Sequence, residues 1–314
     1  MSALPSIVPT APAQIPRQTE SLAASLRGEG WRLRTGPFTY RLRSDVPAVL
    51  DGLRSLYAGY PGVEPGGFID FEVELRRSGG WRRFVRSQAR FRFDGTESFE
   101  PLPLAQGYAM LEWAMNWCVS THVNHHLLIH SAVVERGGRA LILPAPPGSG
   151  KSTLCAALVN RGWRLLSDEI AVVPLAGEGL LPVVRPVSLK NRSIELIAAF
   201  EPAARFSRPA HGTSKGTVAH MAAPAAHVAR MDEPAPAAWI VFPRWREGAP
   251  VSLVPRSRAE TLVALARNSF NASTLGEAGF DRMARLVEAC ECHDFEYSRL
   301  DDAMAVFERL AGQP

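Results

Sequence analysis

The sequence predicts an α/β fold, and three observations carry that prediction. A strand, a glycine loop and a helix follow one another directly. Residues 140–143 form an apolar run suited to a buried strand, 144–150 form a Pro/Gly turn, and Lys151-Ser152-Thr153 opens a helical pattern reaching Val159. Strand-like runs at 125–135, 165–173 and 238–242 alternate with helical patterns, the last of them near 258–266, 280–289 and 300–310. With 314 residues, 46% of them hydrophobic and 21% charged, the chain has the composition of a globular protein holding one large domain or two ordinary ones.

Taken in order, residues 1–28, with Pro5, Pro9, Pro12 and Pro16 among Ala and Ser, read as a disordered tail. Residues 29–123 read as a small α+β module. It has strands at 38–43, 68–75 and 81–93, a short helix at 46–57, and a helix at 104–123 whose Tyr108, Leu111, Trp113 and Trp117 pack it against the rest. The third strand carries Arg82, Arg83, Arg86, Arg90 and Arg92. Arginines beside aromatics can bind single-stranded nucleic acid. A half-exposed antiparallel strand balanced by the acidic face of 68–75 accounts for them better, so no nucleic-acid partner is expected. Residues 124–314 read as the P-loop domain. A strand at 125–135 and a turn at Gly137-Gly138 lead into the loop strand, and the loop helix exits at Gly162 into a second strand whose apolar run is interrupted by Asp168 and Glu169.

No apolar run approaches the length of a membrane span, and residues 1–16 lack the basic head and continuous apolar core of a signal peptide, so a cytoplasmic protein is expected. Cys118 and Cys155 sit in apolar helical surroundings. Cys290-x-Cys292-His293 is too short for a zinc knuckle and has no second ligand pair, which leaves a reduced structural pair. The net charge of +4 hides a bias, because only three of the 35 basic residues are lysine: Lys151, Lys190 and Lys215. Arginine fills the ordinary solvated positions, so lysine marks sites that want a compact ammonium on a flexible stem.

The chemistry centres on the loop. Backbone N–H groups at Gly148, Ser149 and Gly150 can wrap a polyphosphate, and the helix N-terminus adds positive potential. With Pro147, Lys151, Ser152 and Thr153 they form the expected nucleotide site, in which Lys151 reaches the β- and γ-phosphates and Ser152 ligates Mg2+. Ala145 stands where the G-x-x-x-x-G-K-[ST] motif has its first glycine, which is tolerable only at negative φ. Two adjacent acids in an apolar strand are costly to bury unpaired, and strand alternation sends them to opposite faces. One of Asp168 and Glu169 can hold Mg2+ while the other takes a proton from an acceptor hydroxyl. Lys190 and Lys215 lie in polar segments that can form loops near the phosphates, where a cation would stabilise charge on the transferring group. His130 alone reads as a packed core histidine, as do His125 and His126.

Together, His130, then Gly148-Ser-Gly-Lys-Ser152, then Arg161-Gly-Trp-Arg-Leu-Leu-Ser-Asp-Glu169 resemble the catalytic domain of HPr kinase/phosphorylase. That family has a histidine before the strand hairpin, a P-loop, and R-G-h-x-L-h-x-D-D, where h is apolar. The resemblance covers 128–175 well and the later chain in outline. It is closer to the bacterial HPr-kinase-related proteins, which carry P-x-x-P-G-S-G-K-S-T, L-L-S-D-E and R-P-h-S-L-K-N. It implies a P-loop core on a mixed sheet of the HPr kinase/PEP carboxykinase type. It implies transfer of the γ-phosphate of ATP, with Mg2+, to a hydroxyl of a protein, a peptide or a small molecule. It also puts His130 with Asp168 or Glu169 at the acceptor, and Mg2+ on Ser152 and one acid, taken as Asp168. A homo-oligomer is implied as well, the family proper being hexameric. Three departures stand out: Glu169 replaces the second aspartate, the E-x-R-G-h-G segment is missing, with 185–191 at a comparable distance, and the front module differs. HPr is therefore not assigned as the acceptor. The alternative is an NTP-binding regulatory switch that hydrolyses slowly and has no acceptor.

Overall fold

A helix lies within the stretch where a tail is predicted. In the computed structural model, which describes residues 18–64, 66–79, 87–146 and 148–312, α1 (Gln18–Arg27) packs on the strands and helix that follow it. No proline falls between Pro16 and Pro37, and Leu22 and Leu26, one turn apart, give the segment an apolar stripe that its composition obscures. Leu26 is fully buried. Residues 1–17 of the predicted tail lie outside the described residues.

The first sheet contains β1 (Trp31–Thr35) and β2 (Phe38–Ser44), then, after α2 (Pro47–Leu56), β3 (Phe71–Arg77), β4 (Gln88–Phe93), β5 (Thr96–Glu97) and β6 (Leu102–Pro103). Its order is β1-β2-β3-β4-β5, with β6 beside β4. β3 begins later than the predicted start at 68, because Phe71, Val73 and Leu75 are the inward residues of the alternation while Phe68 is left in solvent. Of the predicted arginine strand, 81–86 lie outside the described residues. In β4, Arg92 reaches Glu74 of β3 at 3.5 Å and Arg90 reaches Glu97 at 2.9 Å. A 3₁₀ turn then leads into α3 (Gly107–His122).

The second sheet is built from β7 (His126–Arg136), β8 (Arg139–Pro144), β9 (Arg164–Ser167), β10 (Ile170–Pro174), β14 (Ala237–Trp245), β15 (Ser252–Pro255) and β16 (Glu291–Tyr297). Its order is β10-β7-β8-β14-β16-β15, and β9 also lies beside β7. β14 runs parallel to both β8 and β16, whereas β7 is antiparallel to β8, β9 and β10, and β15 is antiparallel to β16. The fold is therefore α/β with mixed sheets. Between β8 and β9 lies α4 (Lys151–Val159). A third sheet, β11-β13-β12, joins β11 (Val187–Lys190), β12 (Ala210–Thr213) and β13 (Gly216–Met221), with α5 (Arg192–Phe200) between β11 and β12. The 212–221 segment, read as a loop near the phosphates, is thus mostly hairpin.

Both faces of the large sheet are covered, which is why its strands read as continuous apolar runs. Leu141 and Leu143 join the core that holds α4 and the C-terminal helix (Leu300–Gly312). Ile142, pointing the other way, packs with Leu265, Met283, Leu286 and Val287 of the helices Arg258–Asn268 and Ala272–Glu288. The first core also takes in Leu33, Tyr40, Val73 and Phe91, so the front sheet and the glycine-loop region share one apolar interior. β16, which begins in the Cys-x-Cys-His segment, is not foreseen because charged residues break up its apolar positions. Its Cys292, Phe295 and Tyr297 point inward, and all four cysteines are buried free thiols. Among the described residues no helix is long and apolar enough to cross a membrane.

Candidate active site at the glycine loop

β8 delivers the chain to the loop at the carboxyl end of a strand that is parallel to its neighbour β14, the edge where open α/β sheets bind ligands. Ala145, at the position of the missing first glycine, is buried and is not among the left-handed residues, so its side chain meets the condition set by the motif. Gly148 and Gly150 are left-handed, at φ 87° and 89°. Gly150 is also crowded, since a Cβ there would sit 2.6 Å from Tyr297 Oη and 2.9 Å from Trp245 Cβ. Pro147 lies outside the described residues. Two strand ends brace the loop: the Trp245 N–H donates to Ser149 O at 2.8 Å, and Tyr297 Oη donates to Gly150 O at 3.2 Å.

Leu154 N–H to Gly150 O, at 2.9 Å, is the first backbone bond of α4, and no side chain caps that helix. As first-turn groups, the N–H groups of Lys151, Ser152 and Thr153 have no partner within the helix among the described residues and can face a ligand or water. The Thr153 hydroxyl is engaged elsewhere, donating to Ser193 Oγ at 2.8 Å.

Four predicted residues meet at Lys151. Its Nζ lies 3.0 Å from Asp168 O, 3.2 Å from His130 Nε2 and 3.7 Å from Glu169 Oε2. His130 Nε2 is also 3.2 Å from Glu169 Oε2. The topology explains this meeting. β7 is long enough to pair with both β9 and β10, and the interruption between them is Asp168-Glu169, opposite the middle of β7 where His130 sits. Ser131 N–H donates to Glu169 O at 3.2 Å and holds the break against β7.

The two acids point different ways and meet different surroundings. Asp168 is buried; its Oδ2 accepts from Ser188 N–H at 3.0 Å, while Oδ1 has no partner. Burial raises its pKa, Glu169 adds to that rise, and Lys151 and the hydroxyl of Ser152 act against it. Ser152 and Asp168, the expected Mg2+ ligands, are thus adjacent. Glu169 is about one quarter exposed (26%). Burial opposes its ionisation, but the hydrogen bond from His130 and the charge of Lys151 outweigh burial and hold the carboxyl well below the usual carboxylate range.

Lys190, at the end of β11, and Lys215, in the β12–β13 turn, are electrostatic neighbours of Glu169 rather than hydrogen-bond partners. Lys215 Nζ stands 5.1 Å from the ring centroid of Trp113, and burial together with Lys190 lowers its pKa. Ser188, Trp113, Trp245 and Tyr297 are not site residues in the sequence reading. Ser188 lies in the R-P-V-S-L-K-N segment, which is a usable signal, but nothing in the local sequence ties Trp245 to a loop nearly a hundred residues earlier, or Tyr297 to one 147 residues earlier. His126 opens β7 and His125 precedes it; neither joins this group, but His125 is exposed and His126 only half-buried. His125 is therefore not the packed core histidine expected, because it sits in the connection before the strand rather than within it. No protein-family model matches the chain, and no curated protein matches it.

Proposed function

We propose that the chain is a kinase that uses ATP and Mg2+ to phosphorylate a hydroxyl, on a P-loop core of the HPr kinase/PEP carboxykinase type spanning 124–314, with 29–123 as its accessory module. The observation that carries this reading is the convergence at Lys151, whose Nζ is within hydrogen-bond reach of His130 and within 3.7 Å of a carboxylate on the next strand. A glycine turn that bound nothing would have no use for a buried ammonium, an acid and an imidazole at the mouth of an uncapped helix. Transfer to an alcohol uses a cation on the phosphates and a base for the hydroxyl proton, and an imidazole beside the acid can orient it.

In this reading the triphosphate is held by the N–H groups of 148–153 and by Lys151, and Mg2+ by Ser152 and Asp168. The partnerless Oδ1 of Asp168 and its neighbouring hydroxyl suit a hard cation that takes oxygen ligands. When bound, the ion would offset charge on the phosphate oxygens. The acceptor oxygen bonds to the γ-phosphorus as the bond to the bridging oxygen breaks. ADP leaves with that electron pair, and the hydroxyl proton goes to the Glu169 carboxylate. His130 orients that carboxylate, and Lys190 and Lys215 add positive potential over the transferring group. The acceptor is a hydroxyl of a protein, a peptide or a small molecule in the cytoplasm, and we propose a homo-oligomer on the strength of the resemblance.

Labelled γ-phosphate transfer in a lysate of the host lacking this protein tests the reading. Wild type should label a product, Lys151→Ala should neither bind ATP nor label, and Glu169→Gln should bind ATP without labelling. Binding of ATP by wild type with no labelled product would replace the kinase with a nucleotide-driven switch.

A further inference from the structure

The reactive groups all lie on one flank of the glycine loop. Asp168 and Glu169 belong to the break between β9 and β10, both of which pair with β7, and β7 lies on one side of β8. On the other side of β8 come β14 and then β16. A triphosphate lying along the loop with its γ end at the acids must send its ribose and base out over the β14 side.

The last residue of β14 is Trp245, and three contacts fix it there. Its N–H donates to Ser149 O at 2.8 Å, its Cβ abuts Gly150, and its indole Nε1–H donates to Ser298 O at 3.0 Å. The ring is thus held from the backbone end and from its polar edge, yet Trp245 is 42% exposed. Tyr297 fills the space beneath the loop and stacks on Phe295 at 5.2 Å, which backs the same corner with rigid aromatic packing. A fixed, uncovered indole beside a polyphosphate loop offers a flat apolar surface at little entropic cost on binding.

We propose that Trp245 is the nucleobase platform of this site, the base of the nucleoside triphosphate stacking on the exposed face of the indole. The proposal rests on the nucleotide reading above and adds where the base lies. It also makes the base an affinity element rather than a tightly read one, because every base has a stacking face.

Calorimetric titration with Mg-ATP and, separately, with Mg-tripolyphosphate tests it, since the second ligand has the phosphates and no base. Wild type should bind ATP more tightly than tripolyphosphate. Trp245→Ala and Trp245→Leu should each weaken ATP binding roughly 5- to 150-fold, the range for losing one base–aromatic stack. They should leave tripolyphosphate within twofold, and Trp245→Phe should keep ATP within about fivefold of wild type. ATP binding unchanged in the Ala and Leu variants would overturn the platform, and so would an equal loss of both ligands in both of them, which would make Trp245 a brace of the loop only. Wild type that binds tripolyphosphate as tightly as ATP also overturns the platform while sparing the phosphate site. Wild type that binds neither ligand overturns the nucleotide reading, and the platform with it.

Discussion

His220 is a residue whose charge the fold refuses. It is 2% exposed, its ring meets Tyr108 edge-on at 5.3 Å, and its Nε2 has no hydrogen-bond partner. Burial brings its pKa down from 6.5 to about 4, Arg185 and Lys190 push the same way, and Glu112 and Glu169 oppose them. The unfolded chain takes up this proton near 6.5 and the folded one only near 4. The unfolded state therefore binds up to one more proton in that window, so stability is full above it and is lost as pH falls through it. His220→Gln should flatten the dependence of unfolding free energy on pH between 6.5 and 4 by up to about one proton, measured by denaturant unfolding at several pH values. His126 and His227, also held near 4 mainly by burial, add to the slope that remains, and Asp168, raised to about 6, opposes it. An unchanged slope would mean that His220 titrates alike in both states. Local sequence was enough to pick out Lys151, Ser152, Asp168 and Glu169 at this scale, because a glycine loop and an acid pair in an apolar strand announce themselves by spacing. It gave no hint of His220, which arrives on another strand, and although Ser188 lies in the R-P-V-S-L-K-N segment, nothing local tied its N–H to Asp168.

The loop element makes a sharper demand than its motif does. Gly148 and Gly150 share a left-handed backbone, but a Cβ on Gly148 would meet nothing within 4 Å, whereas one on Gly150 would strike Tyr297 and Trp245. Gly148→Ala should cost only the backbone term of about 1–2 kcal/mol. Gly150→Ala should cost that plus the displacement of two strand ends, about 1–3 kcal/mol more on the scale of overpacked sites, and should weaken nucleotide binding as well. Chemical denaturation of the two variants side by side gives the comparison, and equal losses would mean that the strand ends yield freely. The same contrast marks what was legible in elements. The loop strand, its helix and the hairpin before it followed from hydrophobic period and glycine placement. β16 did not, since Glu291, His293, Asp294 and Glu296 interrupt its apolar positions and its pairing with β14 and β15 is what makes it a strand. α1 was hidden by the Pro- and Ala-rich composition around it.

For the whole molecule, α/β class follows from the run of elements, but mixed pairing does not. β8 and β14 are neighbours although about a hundred residues separate them, and no local pattern encodes that partnership. Nor could the sequence show that the front module and the glycine-loop region share one core, stitched by a buried ion pair. Glu112 of α3 meets Arg185, just before β11, at 2.5 Å, and Arg185 also donates to Asn116 Oδ1 at 2.6 Å and to Glu112 O at 2.7 Å. Tyr57 and Tyr108 donate to the same glutamate at 2.8 and 2.6 Å, so the carboxylate keeps its charge despite full burial. Such a pair adds little net stability over an apolar substitute, because desolvation consumes most of the attraction, but removing one partner leaves an uncompensated buried charge. Arg185→Met should therefore cost about 3–5 kcal/mol, while the double variant Glu112→Gln/Arg185→Met should recover more than half of that loss. Urea unfolding followed by tryptophan fluorescence and by far-UV circular dichroism reads both quantities. The two probes should stay coincident in every variant, because the shared core makes the front sheet and the loop region one cooperative unit. A double variant as weak as the single one would assign the cost to lost packing and hydrogen bonds of Arg185. Separated transitions in wild type would mean that neither the shared core nor the ion pair makes the two halves one cooperative unit.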